Sequence, residues 1–253
     1  WLLKASISGI IDPKQLEESR KSMSATLYNQ EWECDFHETE GSVFRGVREI
    51  ADSIPKRPES GHRYVIGADI AKVQDFTVLS VFDRNTNHQV NQERFQHLEW
   101  PFQKAKIKSM SKIYNNALVA LDATGLGSPI ADDLLRDGIP VEPIKISNES
   151  KKDMIEKLSI WIDQRLIHIL PLDETLAEFD NFSYEIGEAG KIRYGAPQGY
   201  HDDIVMSIAM AGSQLHELYV PIEEQPLTLL QQHFRTKVAN YGQSSTFIEE
   251  EEW

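Results

Sequence analysis

The sequence predicts an α/β fold with one mixed sheet, in which three antiparallel strands come first, parallel strands follow, and helices flank the sheet. Runs of β-forming residues follow one another closely, as in an antiparallel meander, at 63–69, 76–83 and 88–98. Beyond residue 100, helical spacing of apolar residues alternates with short apolar runs, the pattern of parallel α/β units. Two of the runs end on an aspartate, Asp69 and Asp122, which is typical of strands that border a ligand crevice.

The first 60 residues are expected to form an arm outside the core. A helix over 13–30 is predicted to begin at Pro13, because proline favours the first helical position. An irregular, aromatic-rich arm follows over 28–44, and a proline-rich linker at 55–61 leads into the core. The start lacks both Met and a signal-peptide pattern, so we expect a fragment of a longer chain. The resulting division is an arm (1–60), a core domain (61–220) and a polar, acidic tail (221–253).

The remaining elements of the core follow in a regular order. They are a helix over 101–115, a strand over 117–122, a helix within 125–138, a strand over 139–146, a helix over 147–165, a short strand over 166–170, a hairpin with strands 182–186 and 191–194, and a helix from 201 to about 218. A meander followed by alternating strands and helices is the order of the ribonuclease H-like fold. The hairpin is an addition to it.

Composition excludes several classes of protein. The 253 residues carry a net charge of −14, and the core alone has 16 basic and 23 acidic side chains, a net charge of −7, so a broad basic DNA-binding face is not expected. One cysteine, Cys34, excludes an internal disulfide and a multi-cysteine zinc site. No apolar run is long enough to span a membrane. The P-loop, G-x-S-x-G and H-E-x-x-H motifs are absent.

Four carboxylates are the candidate catalytic and metal-binding residues: Asp69, Asp122, Asp202 and Asp203. The first two end strands and the pair begins the last helix, so all are expected to meet at one edge of the sheet. Carboxylates that gather there repel one another, and Mg²⁺ or Mn²⁺ relieves that repulsion. Taken singly, Asp69 could be a turn residue and the pair could cap the helix. A helical wheel leaves open which of Asp202 and Asp203 is the ligand.

Further residues are candidates for supporting roles. Asp75 and His201 could orient the carboxylates or contact a phosphate, although a turn role and a helix-start role are reasonable alternatives. Five basic residues are the candidate DNA contacts: Lys191, Arg193, Lys145, Lys151 and Lys152.

With these residues in view, the chain resembles the nuclease domain of the large terminase subunit of tailed bacteriophages. The resemblance covers residues 28–218 and rests on GADIAKVQDFTVLSVFD, VALDATGLGSPIADDL, the hairpin before GYHDDIVMSIAMA, and the arm WECDFHETEGSVF. It implies that the metal-binding carboxylates are Asp69, Asp122 and the pair Asp202-Asp203, and that the hairpin borders and restrains the active site. It also implies an ATPase domain upstream, with no ATP site in this fragment.

The function that the resemblance implies is an endonuclease that cuts concatemeric viral DNA during genome packaging in the host cytoplasm. Asp69 would bridge two Mg²⁺ or Mn²⁺ ions about 3.5–4 Å apart, Asp122 would bind one of them, and Asp202 or Asp203 the other. Double-stranded DNA is expected to bind weakly and without sequence preference. The implied protein partners are the ATPase domain, the portal and the small terminase subunit; no membrane is involved.

Two other functions are compatible with parts of the pattern. An actin-like or sugar-kinase-like ATP-binding module also begins with a strand, an aspartate and a turn, but it needs a second phosphate loop and a duplicated domain, which this sequence lacks. A packaging domain with an inactive site is the other alternative, and the intact acidic positions disfavour it.

Overall fold

Five strands form one mixed sheet in this computed structural model: β1 (Tyr64–Asp69), β2 (Thr77–Asp83), β3 (His88–Phe95), β4 (Leu118–Asp122) and β5 (Val141–Ile144). Their order across the sheet is β3-β2-β1-β4-β5. The first three strands pair antiparallel, while β4 pairs parallel with both β1 and β5. The predicted mixed, ribonuclease H-like sheet is confirmed.

The structure describes residues 3–23, 25–34, 43–70, 76–124, 127–186 and 192–215, all within the unit Trp1–Tyr219. The predicted tail 221–253 and the hairpin tip 187–190 lie outside these residues. No helix in the described part of the chain is long and apolar enough to cross a membrane.

Eight helices are described: α1 (Ala5–Ser8), α2 (Pro13–Ser22), α3 (Ala25–Trp32), α4 (Trp100–Ile113), α5 (Gly127–Arg136), α6 (Asn148–Asp163), α7 (Asp173–Asn181) and α8 (Asp203–Gly212). A 3₁₀ turn spans Val47–Glu49. The predicted hairpin is present as β6 (Ser183–Ile186) and β7 (Ile192–Gly195), which pair antiparallel.

Two local predictions are corrected by the structure, and one helix was missed. The single helix predicted over 13–30 is two helices, because Met23 is extended after α2. The predicted strand 166–170 makes only one isolated bridge, between His168 and His88, since Leu166 bonds back to Trp161 and Ile169 bonds to Ile50 and Ser53. The helix α7 was not predicted at all.

Side chains alternate between the two faces of the sheet, and each face has its own core. On one face, Val65 and Ala120 pack with α6, α7 and α8. On the other face, Ile66 and Leu121 pack with α4 and α5. This alternation follows from the two-residue period of a strand, and it leaves the sheet covered on both sides.

The helix α8 lies directly on β1 at Gly67. A Cβ atom built at residue 67 would lie 1.8 Å from the carbonyl oxygen of Ser207 and 2.8 Å from the backbone nitrogen of Ala211. No side chain fits between the two elements. The buried hydroxyls of Ser80 and Ser207 also bond at 2.7 Å, which fixes α8 against β2.

The strand β5 lies at one edge of the described sheet and contains Pro143. Backbone bonds run from Val119 N–H to the carbonyl of Pro140 and from Ala123 N–H to the carbonyl of Ile144. In a parallel ladder this register directs the backbone nitrogen of Pro143 away from β4, toward the open edge.

Candidate metal centre

The structure brings Asp69 and Asp122 side by side at the carboxyl edge of the sheet. They end neighbouring parallel strands, and the register pairs the preceding residues, Ala68 with Leu121. Adjacent strands lie about 4.8 Å apart, so the two backbones are close and their side chains leave the same face. The Asp122 carboxylate accepts a hydrogen bond from Thr124 N–H at 2.8 Å, which holds the turn that follows β4.

The pair Asp202-Asp203 reaches the same edge on α8. Asp202 occupies the N-cap position without making a side-chain capping bond, and Asp203 is the first residue of the helix. Because α8 rests on Gly67, two residues before Asp69, the start of this helix is carried to the end of β1. Backbone contact therefore sets where the pair stands.

The electrostatics of Asp69 show that the four carboxylates share one region, the acidic centre. Burial raises the pKa of Asp69 well above its ordinary value, and the charges of Asp203, Asp202 and Asp122 raise it further, in that order. Lys151 acts in the opposite direction. Such crowding of like charge favours a bound cation.

Lys151 and Asp202 form an ion pair inside the acidic centre. The Lys151 ammonium donates to Asp202 Oδ2 at 2.7 Å, and both side chains are more than two-thirds buried. Asp202 is thus paired with Lys151, while Asp203 has the stronger influence on the pKa of Asp69.

Asp203 lies beside His201, which in turn contacts an aromatic ring. Its carboxylate oxygen lies 3.5 Å from His201 Nδ1. The imidazole of His201 meets Phe76 edge to face, with ring centroids 5.1 Å apart. The guanidinium carbon of Arg94 lies 3.6 Å from the centroid of the Phe76 ring. His201 therefore stands beside a carboxylate of the acidic centre.

Glu178 is a carboxylate of this site that the sequence analysis missed. It lies on α7, buried, and accepts a hydrogen bond from Ile204 N–H at 2.8 Å. Arg94 lies 3.4 Å from its other oxygen. Burial raises the pKa of Glu178 to about 7; the Ile204 bond and Arg94 oppose that rise, and Asp203 adds to it. The missed signal was Pro171 followed by acidic residues, a common helix start.

The predicted DNA contacts have different surroundings. Lys145 and Arg193 are exposed, while Lys152 lies 3.7 Å from Glu156. Lys151 is engaged with Asp202, as described above, rather than free to meet phosphate. Lys191 and Asp75 lie outside the described residues.

The base of the hairpin borders the acidic centre. A Cβ atom at Gly195, the last residue of β7, would be 3.7 Å from Asp202 Oδ2 and 3.9 Å from the Lys151 ammonium. Farther along the hairpin, Glu185 and Arg193 lie opposite one another and are both exposed. A charged cross-strand pair thus stands near the approach to the acidic centre.

The carboxylates of the acidic centre are more widely spaced than another group of potential ligands. Among the described residues, one set of three His, Cys, Asp or Glu side chains has ligand atoms all within 4.8 Å of one another, and it is Asp52, His88 and His168. That set was not predicted, and it lies elsewhere on the sheet.

The sequence of the chain is similar to those of a known protein family. The family model described as the terminase RNaseH-like domain matches residues 66–214. The large terminase subunit of Thermus virus P23-45 is 35% identical over 202 residues, which cover 74% of this chain and 41% of that relative. The chain thus spans less than half the length of this curated relative.

Solved structures give the same assignment. The large terminase nuclease from thermophilic phage G20c, crystallised with bound magnesium, superposes with a TM-score of 0.65 at 32% identity, over 70% of this chain and 98% of that one. The same nuclease with bound cobalt gives the same values. The large terminase nuclease domain of Thermus phage P74-26 follows, with a TM-score of 0.63 at 32% identity, over 69% of this chain and 95% of its own.

Proposed function

This chain belongs to the family of terminase RNaseH-like domains, and on that premise we propose that it is the nuclease domain of a terminase large subunit. Its activity is that of a divalent-metal-dependent endonuclease that cuts concatemeric viral DNA during genome packaging. The observation that carries the proposal is the acidic centre, where Asp203, Asp202 and Asp122 all raise the pKa of the buried Asp69.

The donor set fits hard divalent cations. Carboxylate oxygens are the ligands that Mg²⁺ and Mn²⁺ prefer, and the G20c neighbour was crystallised with magnesium. Asp69, Asp122 and Asp203 would hold two such ions, with Asp202 kept in place by Lys151. When bound, the ions supply an activated water and positive charge at the leaving 3′ oxygen of the phosphodiester.

The chain's own groups prepare the acidic centre for that chemistry. The β1–β4 register aligns Asp69 with Asp122, and Glu178 holds the first turn of α8, which carries Asp203. Lys151 is the cation that offsets the charge at Asp69. Exposed basic residues near the centre, such as Lys145 and Arg193, would contact the DNA backbone.

Partners and domain roles follow from the same proposal. Residues 61–220 form the nuclease domain, and 1–60 connect it to an ATPase domain of the full-length protein. The portal and the small terminase subunit are the protein partners, double-stranded DNA is the substrate, and the host cytoplasm is the place of action. The P23-45 relative is a large subunit of which this chain covers 41%, in agreement with a second domain.

A plasmid-nicking assay tests the proposal. The chain should convert supercoiled plasmid to nicked and linear forms with Mg²⁺ or Mn²⁺ and lose this activity in EDTA. Asp69→Asn should abolish cleavage, whereas Asp132→Asn, which removes an exposed acid on α5, should leave it unchanged. Equal cleavage by Asp69→Asn and the wild type would overturn the assignment.

A further inference from the structure

At the end of the sheet opposite the acidic centre, three side chains from distant parts of the sequence converge. One ring nitrogen each of His88 and His168 and a carboxylate oxygen of Asp52 lie within 4.8 Å of one another. In the sheet, Asp69 pairs with Val78 near one end, and Asp83 pairs with His88 at the other. With a rise of about 3.3 Å per residue, the two groups are on the order of 17 Å apart.

We propose that Asp52, His88 and His168 bind a divalent transition-metal ion of the zinc type, a site separate from the acidic centre. Two imidazoles and one carboxylate form a donor set that suits Zn²⁺, Co²⁺ or Ni²⁺, whereas Mg²⁺ prefers oxygen ligands alone. The acidic centre offers oxygens, so the two sites would select different metals.

The three segments that carry the ligands are held by backbone bonds. Gln89 N–H donates to the carbonyl of His168 at 2.8 Å, and His168 N–H donates to the carbonyl of Asn87 at 3.1 Å. On the other side, Ser53 N–H donates to the carbonyl of Ile169 at 3.1 Å. The backbone therefore brings the ligands together before any metal binds, which lowers the entropic cost of forming the site.

The side chains are also oriented. Asp52 Oδ1 lies 2.7 Å from His168 Nδ1, and Ser53 Oγ lies 2.9 Å from His88 Nδ1. The two imidazoles stack with ring centroids 4.2 Å apart and an angle of 6° between their planes. Metal-bound histidines commonly have their other nitrogen bonded to an oxygen, and the buried Ser53 is placed for that role.

The charge state of His88 suits a metal. Burial lowers the pKa of His88, and the neighbouring His168 lowers it further, while Asp52 acts in the opposite direction. Neutral imidazole is the form that binds metal.

Such an ion would cross-link the arm to the core. Asp52 lies in the segment before the predicted linker, His88 begins β3, and His168 follows α6; Asp52 and His168 are 116 positions apart in the sequence. A link between distant segments restricts the unfolded chain most. The metal would therefore fasten 43–53 to the sheet, away from the DNA-cutting edge.

Zn²⁺ alone is the probe, used on an Asp69→Asn/Asp122→Asn background that weakens the acidic centre. About one Zn²⁺ per chain should bind by calorimetry and raise the melting temperature. Asp52→Asn or His168→Asn should weaken Zn²⁺ binding by at least about 100-fold, and Ser53→Ala by roughly 10- to 100-fold, the usual cost of losing a group that orients a ligand.

His62→Asn is the matched control, since His62 also lies 2.7 Å from an aspartate, Asp83, but does not belong to the set of three potential ligands. It should retain Zn²⁺ binding. Circular dichroism verifies that each variant is folded, and the exposed Asp52 is the substitution least able to disturb the core. Failure of the background protein to bind Zn²⁺, or equal Zn²⁺ affinity in folded Asp52→Asn and its parent, would overturn the proposal.

Discussion

Glu178 on α7 accepts the backbone N–H of Ile204 on α8 at 2.8 Å. A side chain from another helix thus satisfies a free N–H of the first turn of α8, because Asp202 at the N-cap makes no such bond. The contact joins the position of Asp203 to Glu178, which is 26 positions before Ile204 in the sequence. Through this bond Glu178 positions the first turn of α8, which carries Asp203 into the acidic centre.

Replacing Glu178 by glutamine should change how stability depends on pH. Since the pKa of Glu178 is raised to about 7 from an ordinary 4.5, the unfolded chain ionises first, and the wild type loses stability as pH rises from about 4.5 to 7. Glu178→Gln does not titrate and can still accept the Ile204 bond. In EDTA, the free energy of unfolding of Glu178→Gln should therefore increase by about 3 kcal/mol relative to that of the wild type as the pH rises through this range. Urea unfolding at several pH values measures the difference in unfolding free energy between the two proteins. A difference that does not change with pH would contradict the raised pKa of Glu178.

Replacing Asp69 by asparagine should stabilise the metal-free protein while abolishing cleavage. Burial and three like charges raise the pKa of Asp69, so the wild type loses stability as pH rises above about 4, where the unfolded chain ionises. The melting temperature of Asp69→Asn in EDTA at neutral pH should equal or exceed that of the wild type. Asp132→Asn provides the baseline, and a clear loss of stability in Asp69→Asn alone would count against a repulsive cluster.

Replacing Lys151 by methionine should tighten Mn²⁺ binding at the acidic centre. Lys151 is the cation beside Asp202 and Asp69, so its removal leaves more negative charge for the metal. At an effective dielectric constant near 20 the gain is on the order of 1 kcal/mol, or about fivefold in affinity. Electron paramagnetic resonance of free Mn²⁺ measures it. Lys152→Met is the control, because Lys152 pairs with Glu156 instead; weaker binding in Lys151→Met than in this control would refute the expectation.

Replacing Gly67 by alanine should destabilise the fold severely. The added methyl would lie 1.8 Å from the carbonyl oxygen of Ser207, a backbone atom that cannot move without shifting α8. Overpacking of this kind costs about 3 kcal/mol or more. Gly195→Ala is the comparison, since its methyl would find only ordinary contacts at 3.7 and 3.9 Å. Equal denaturation midpoints for the two variants would show that α8 does not sit directly on β1.

The charged pair on the hairpin should modulate DNA binding. Glu185→Gln removes an acid near the approach to the acidic centre and should raise cleavage of plasmid a few-fold. Arg193→Gln should lower cleavage and reduce the slope of log K against log salt by about one, as expected for one lost phosphate contact. The two residues lie opposite each other, so the double variant reports their coupling. An unchanged salt slope in Arg193→Gln would remove that residue from the DNA contacts.

The sequence predicted the sheet well because its signals are local. Apolar runs that end on Asp69 and Asp122 mark both the strands and their carboxyl ends, and the register then aligns the two residues. The helix α7 was missed although it begins with acidic residues and spaces Leu176 and Phe179 helically. The predicted strand 166–170 was wrong because its backbone bonds are divided between the arm (Ile50, Ser53) and the start of β3 (Asn87, Gln89), which no local pattern reveals.

Sequence patterns could not predict the contacts between residues that are distant in the sequence. Lys151 and Asp202 are 51 positions apart, and a lysine in a helix gives no sign of which acid it will meet. The convergence of Asp52 with His168 depends on how the arm folds back along the sheet. Such pairings are products of topology, and a three-dimensional structure was needed to see them.

Pro143 bears on how this domain behaves when many copies are crowded together. The open side of β5 has four residues, and the register turns the nitrogen of Pro143, which has no hydrogen, toward that side. A strand of a neighbouring chain that paired with β5 would lack one hydrogen-bond donor at Pro143, and it would lie beside the exposed carboxylate of Glu142. Edge-to-edge growth of the sheet is therefore blocked at β5. The backbone of β5 therefore resists self-association at this edge of the sheet. Pro143→Val should promote aggregation when the protein is concentrated.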